Sequence, residues 1–147
     1  MTGPVVVGYD DSDSARSALD GAIDEAKKSR ARLVVVSVVE MPLNPEAPQN
    51  FGTLDDSPQP MLPRGLPPEL EPPLAHAAER LSSERVRANF VWAVGDPAAE
   101  IARTARGVNA ALVALGSHHH SLLGRLFATD VAAEVERELG AGVVVVD

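Results

Sequence analysis

Pro4-Val5-Val6-Val7-Gly8-Tyr9 runs straight into Asp10-Asp11-Ser12. Three consecutive β-branched residues without apolar–polar alternation read as a strand buried on both faces, as found inside a parallel sheet. The next stretch is spaced for a helix. Ala15, Ala18, Leu19, Ala22, Ile23 and Ala26 recur at helical intervals, and Ser12 or Ser14 supplies the N-cap. Leu33–Val39 is a second β-branched run without alternation. A buried strand, a helix and another buried strand imply parallel pairing through a right-handed crossover.

The same alternation continues outward. Leu70, Leu74, Ala77, Ala78 and Leu81 predict a second helix, with Pro72 and Pro73 in or before its first turn. Residues 90–94 predict a third strand. Gly95-Asp96-Pro97 is a start signal made of a turn, an Asp cap and a proline at the first helical position, so a helix should run through Ile101 and Thr104 to about Gly107. Residues 111–115 predict a fourth strand. Thr129 or Asp130 caps a helix to Leu139, Gly140 breaks it, and residues 142–146 form a fifth strand. The fold class is α/β, a doubly wound parallel sheet. Such sheets take ligands at the carboxyl ends of strands where the strand order reverses. The loops after strands one (Tyr9-Asp10-Asp11-Ser12) and four (116–130) are therefore the functional candidates.

Composition sets outer bounds. The chain has 147 residues, formal charge −8, no cysteine and twelve prolines. That length suits one domain spanning 1–147. The acidic balance argues against nucleic acid as a partner. Without cysteine there is no disulfide, no thiolate nucleophile and no cysteine-ligated zinc. No basic region precedes a leader-length apolar stretch, and no apolar run reaches the roughly 20 residues of a membrane helix, so a cytoplasmic protein without a membrane partner is expected. Ten of the prolines fall between residues 41 and 73, with five carboxylates against the single Arg64, a net −4 that is half the total charge. Proline removes an amide donor and biases its predecessor toward extended backbone, so a loop excursion within the domain is expected at about 41–68.

Four chemistries fail on the residues. Asp10-Asp11 after a first parallel strand suggests a phosphoryl-accepting pair. That chemistry also needs a third Asp after strand three and a Lys beyond strand five, yet Asp96 reads as a helix cap and no lysine follows Lys28. Neither a G-x-x-x-x-G-K-[ST] loop nor a G-x-S-x-G elbow occurs. In His118-His119-His120 adjacent side chains diverge, so at most two would converge on one ion, and no metal centre is expected.

Several ordered blocks together resemble the universal stress protein family: Val5-Val6-Val7-Gly8-Tyr9-Asp10-Asp11-Ser12 with Ala18-Leu19, the strand Leu33–Val39, Gly95-Asp96-Pro97-Ala98-Ala99-Glu100-Ile101, residues 111–117 ending in Gly-Ser, and the closing strand 142–146. The resemblance covers the chain except about 41–68. It implies a five-stranded sheet of order 3-2-1-4-5, a homodimer through the terminal strand Val143–Val146, and a non-enzymatic, stress-associated role. A bare apolar edge strand suits such a dimer, because it otherwise invites aggregation.

In nucleotide-binding members of that family the loop after strand four reads G-x-x-G-(nine residues)-G-[ST], glycines and a helix N-terminus receiving the phosphates. Here the first glycine is Gly116, followed by Ser117 and His118. The remaining fixed positions hold His119, Thr129 and Asp130. A carboxylate at Asp130 can cap the helix itself, and at about 4 Å from a phosphate it would repel by about 4 kcal/mol at an effective dielectric near 20, roughly a thousandfold in affinity. Arg125 and protonated histidines offset part of this. The base-binding half matches better: Asp10 for the adenine, Val38 or Val39 for the apolar contact, Leu115 and Gly116 for the other wall. Asp10 has an alternative role in capping the first helix or holding its own loop. The implied site positions are Asp10, Val38, Val39, Leu115, Gly116, His118, Arg125, Thr129, Asp130 and Val131. The reading is a regulatory or protein-binding module with an unknown protein partner and no tight hold on ATP. The alternative is an adenine-nucleotide switch for ATP or AMP.

Overall fold

In the computed structural model, which describes residues 3–39, 66, 68–116, 135, 137, 139 and 143–146, the opening valines lie in β1 (Val5–Gly8). The helix α1 (Asp13–Ser29) leads to β2 (Leu33–Val39). A 3-10 turn at Pro68–Leu70 precedes α2 (Glu71–Ser82), which places Pro72 and Pro73 in the first turn, where a missing amide donor costs least. Then come β3 (Ala88–Val94), α3 (Pro97–Gly107), β4 (Leu112–Gly116) and β5 (Val143–Val146).

The five strands form one parallel sheet in the order β3-β2-β1-β4-β5, as expected. Val5 aligns with Leu33 on one side and Leu112 on the other, and Leu33 aligns in turn with Ala88. The chain winds outward from β1 to β3, crosses back to β4 and continues to β5. The order therefore reverses between β1 and β4.

Both faces are covered, which is why the strands read as unbroken apolar runs. Val5, Val7, Val35, Phe90 and Trp92 pack under Leu19 and Ile23 of α1, Leu70 of the 3-10 turn, and Leu74 and Leu81 of α2. The alternate residues Val6, Val34, Val36, Val91 and Val113 pack under Ala98, Ile101 and Ala105 of α3, together with Val135. This two-residue alternation between cores follows from the strand pleat. Val135, Arg137 and Leu139 have helical backbone, in line with the expected fourth helix. Its cap at Thr129 or Asp130 lies outside the described residues, as do residues 40–65. No helix among the described residues is long and apolar enough to cross a membrane.

Strand limits differ from expectation in a consistent way. β3 starts at Ala88, two residues early, because Leu33 and Val34 of β2 bring Ala88 and Asn89 into the ladder despite their weak β propensity. β1 is shorter than residues 4–9, while β4 is shifted by one to end at Gly116. Pairing partners, not local composition, set these ends.

Of the two candidate serines, Ser12 is the cap: extended at φ −72°, ψ 164°, its hydroxyl accepts from the Ala15 amide at 3.1 Å. Asp96 caps α3 by accepting from the Ala99 amide at 3.0 Å, with Pro97 at the first helical position. The turn before it needs Gly95, whose φ is 144°.

Candidate functional site

The carboxyl ends of β2, β1 and β4 lie side by side where the strand order reverses, and the loop after β1 sits over them. Five hydrogen bonds hold that loop. The Tyr9 amide donates to Val36 O at 2.8 Å, extending the ladder. The buried Ser37 hydroxyl donates to Tyr9 O at 2.7 Å. The Asp10 carboxylate accepts from the Ser12 amide at 3.1 Å and the Ser12 hydroxyl at 2.6 Å. The Tyr9 hydroxyl donates to Asp11 at 2.7 Å. Asp10 thus orients Ser12, and Ser12 starts α1. Of the two alternative roles for Asp10, the cap belongs to Ser12 and the loop-holding one is present in these bonds.

Asp11 takes a left-handed backbone, φ 65°, which aspartate tolerates better than most residues. That turn lets its carboxylate gather three donors: the Tyr9 hydroxyl, Arg16 Nε at 3.3 Å and His76 Nδ1 at 2.8 Å. A carboxylate only accepts, so Nδ1 of His76 carries the proton in this bond. His76 belongs to α2, so the contact ties that helix to the loop after β1. Burial disfavours the charged carboxylate, but the hydrogen bonds from Tyr9, His76 and Arg16 outweigh it and hold Asp11 below its ordinary pKa. Burial, then the adjoining Asp11 carboxylate, push the Tyr9 phenol well above its ordinary value. Beside this cluster a cavity of about 540 Å³ opens between α1 and α2, with Tyr9, Arg16, His76 and Arg80 on its walls.

A depressed carboxyl pKa stabilises the fold above the unfolded value, about 3.9, and loses that contribution as pH falls through the folded value. Asp11→Asn should therefore reduce stability at pH 7 and flatten its acid dependence below about pH 4. Urea midpoints for both proteins from pH 7 to 3 check this; parallel curves would mean that the three hydrogen bonds carry no linkage.

Gly116 ends β4 against the first turn of α1. A Cβ there would lie 2.4 Å from Ser14 Oγ and 2.7 Å from the backbone atoms Ala15 N and Ser14 C. At Gly8 a Cβ would lie 2.6 Å from Leu115 Cδ2 and 3.0 Å from Ile101 Cδ1. Leu115 is fully buried, filling the core beneath β1, so its side chain is a floor and not an exposed wall. Val38 and Val39 separate across the sheet: Val38 joins the α3 core and Val39 the core under α1 and α2. One pocket can take the side chain of only one of them. The structure therefore brings Asp10, Leu115 and Gly116 to one edge, with one of the two valines on each side. His118, Arg125, Thr129, Asp130 and Val131 lie outside the described residues.

Sequence reading missed Ser37 and His76. Ser37 was detectable as the lone hydroxyl inside Leu-Val-Val-Val-Ser-Val-Val, since a buried strand keeps a polar side chain only with a partner. His76 gave no local signal, because its partner is 65 positions away.

The family model described as the universal stress protein family matches residues 1–147. The chain belongs to the universal stress protein family. Among solved structures, a universal stress protein in complex with cAMP is 25% identical to it, covers 99% of this chain and 98% of its own, and gives a TM-score of 0.66. A family protein from Burkholderia pseudomallei is also 25% identical, covering 97% and 94%, with a TM-score of 0.61. A universal stress protein from Archaeoglobus fulgidus shares the fold at 21% identity, 100% of both chains and a TM-score of 0.67. No curated protein matches the chain. The order of this universal stress protein's sheet is the one its sequence resemblance implied.

Proposed function

We propose that this universal stress protein is a non-enzymatic regulatory module that does not hold ATP tightly. The observation that carries the reading is the carboxylate at Asp130, standing where the resemblance expects the Ser or Thr that begins a phosphate-binding helix. His119 and Thr129 add bulk at two glycine positions of the same loop. In the loop after β1, Asp10 directs one carboxylate oxygen to Ser12, which supports a structural duty for it.

A second reading rests on the related protein crystallised with cAMP, a ligand with one phosphate. An adenine nucleotide carrying a single phosphate would use the Asp10–Gly116 edge and ask less of the altered loop. Denaturing freshly purified protein and identifying released small molecules by mass spectrometry separates the two. No released nucleotide supports the first reading, AMP or cAMP supports the second, and stoichiometric ATP overturns both.

We also propose a homodimer through β5, the sheet edge beyond β4, which would leave the opposite side of the molecule for a protein partner. Light scattering on the size-exclusion peak should give twice the chain mass of 15.4 kDa. A monomer at micromolar concentration overturns it.

A further inference from the structure

At the end of the sheet opposite the Asp10 crevice lies a second cavity, of about 410 Å³. Lys27, Arg30, Arg32, Arg85 and Arg87 line it, and the remaining described lining residues are apolar. Five of the chain's thirteen lysines and arginines thus meet in one place, in a protein of net charge −8.

The fold brings them together from three directions. Lys27 and Arg30 come from the last turn and C-cap of α1. Arg32 and Arg87 immediately precede Leu33 and Ala88, which are paired in the parallel ladder, so the two arginines enter the sheet on neighbouring strands. The Leu33 amide donates to Arg87 O at 2.8 Å, fixing that register at its first residue. Arg85 comes from the connection between α2 and β3.

Cations at a helix C-terminus complement the macrodipole, and that accounts for Lys27 and Arg30. It does not account for the arginines that the two strand entries and the α2–β3 connection add to them. Lys27 is bonded to Glu84, which also accepts from Arg80 at 2.7 Å, but Glu84 is not part of the lining. Arg30 and Arg85 make no ion pair among the described residues, and both are exposed. Like charges brought together repel, and Arg30 and Arg85 leave two exposed guanidiniums for an anion to answer. Guanidinium forks match phosphate oxygens in pairs, and the volume falls within the usual range of small-ligand pockets.

We propose that this cavity binds a short phosphate chain, inorganic or the tail of a nucleotide. The site is separate from the crevice discussed above, so it stands whether or not that crevice binds anything.

Tripolyphosphate titrated into the full chain by calorimetry at low salt should bind once per chain, with affinity falling as salt screens the charges. The double change Arg30→Asn, Arg85→Ser should weaken binding at least tenfold. Asparagine suits position 30 because Arg30 sits at φ 55°. Arg137→Ser, which removes an exposed charge on another helix, should leave the affinity unchanged. On the unaltered protein, amide shifts should concentrate at residues 26–32 and 85–87. ATP run in parallel names the source: affinity equal to or above that of tripolyphosphate, lost in the double variant, assigns a nucleotide tail, and weaker ATP binding assigns a free chain. No saturable binding of tripolyphosphate, or equal affinity in the double variant, overturns the proposal.

Discussion

Gly116→Ala should destabilise the protein by about 3 kcal/mol and lower its melting temperature by roughly 10 °C. The cause is geometric. A methyl group at 116 would meet the Ala15 amide nitrogen and the Ser14 carbonyl carbon at 2.7 Å, and backbone atoms cannot rotate aside as a side chain can. Relief requires α1 to move away from β4 at its first turn. That turn holds Ser12, so the bonds from Asp10 would loosen together with the helix. Gly21→Ala is the internal control. Gly21 lies inside α1 with nothing within 4 Å of an added Cβ, so alanine there should stabilise by about 0.5–1 kcal/mol through helix propensity alone. Thermal unfolding of the two variants reads both signs. A Gly116→Ala protein melting within a degree of the parent would show that α1 docks less closely than 2.7 Å implies.

The triple change His119→Gly, Thr129→Gly, Asp130→Ser should raise ATP affinity by roughly a thousandfold. Most of the gain belongs to Asp130, because a charge pair at about 4 Å and an effective dielectric near 20 is worth about 4 kcal/mol. The two glycines restore room for amides to approach phosphate oxygens. Asp130→Ser alone should recover the greater part of the effect, which separates repulsion from bulk. Calorimetry with ATP and with adenosine reads it: ATP affinity should climb while adenosine stays where it was. An unchanged ATP affinity would place the obstacle elsewhere in the crevice, and stronger adenosine binding would point to the base-binding wall.

Much of this fold was legible because its signals are local. Valine runs without alternation announce strands with two covered faces, and Val6 and Val7 indeed point into different cores. Gly95-Asp96-Pro97 carries turn, cap and first helical residue in three positions, and each takes that role. The choice between Ser12 and Ser14 was not local. Ser14 is drawn against Gly116 of β4, a residue about a hundred positions away, which leaves Ser12 to cap. β3 likewise gained Ala88 and Asn89 only because β2 presents partners for them.

At the crevice, strand order singled out the two loops and the family resemblance named Asp10 and Gly116 within them, and the structure gives each a specific physical duty. It could not say that Val38 and Val39 face opposite cores, because that depends on how the β2 pleat is set between two helical layers. Nor could it join Tyr9, Asp11, Arg16 and His76. A left-handed residue at 11 turns one carboxylate toward donors on α1 and α2, and no spacing rule encodes that meeting.

The sequence by itself determined the alternation of strands and helices, the parallel sense of the sheet and the family, since periodicity and short motifs act within a few residues of one another. Only the tertiary structure decided which atoms meet: the clamp on the loop after β1, the seat of Gly116 against α1 and the five cations gathered at the far end of the sheet. Those contacts depend on strand register and helix docking, and both are fixed by pairing between residues distant in the chain.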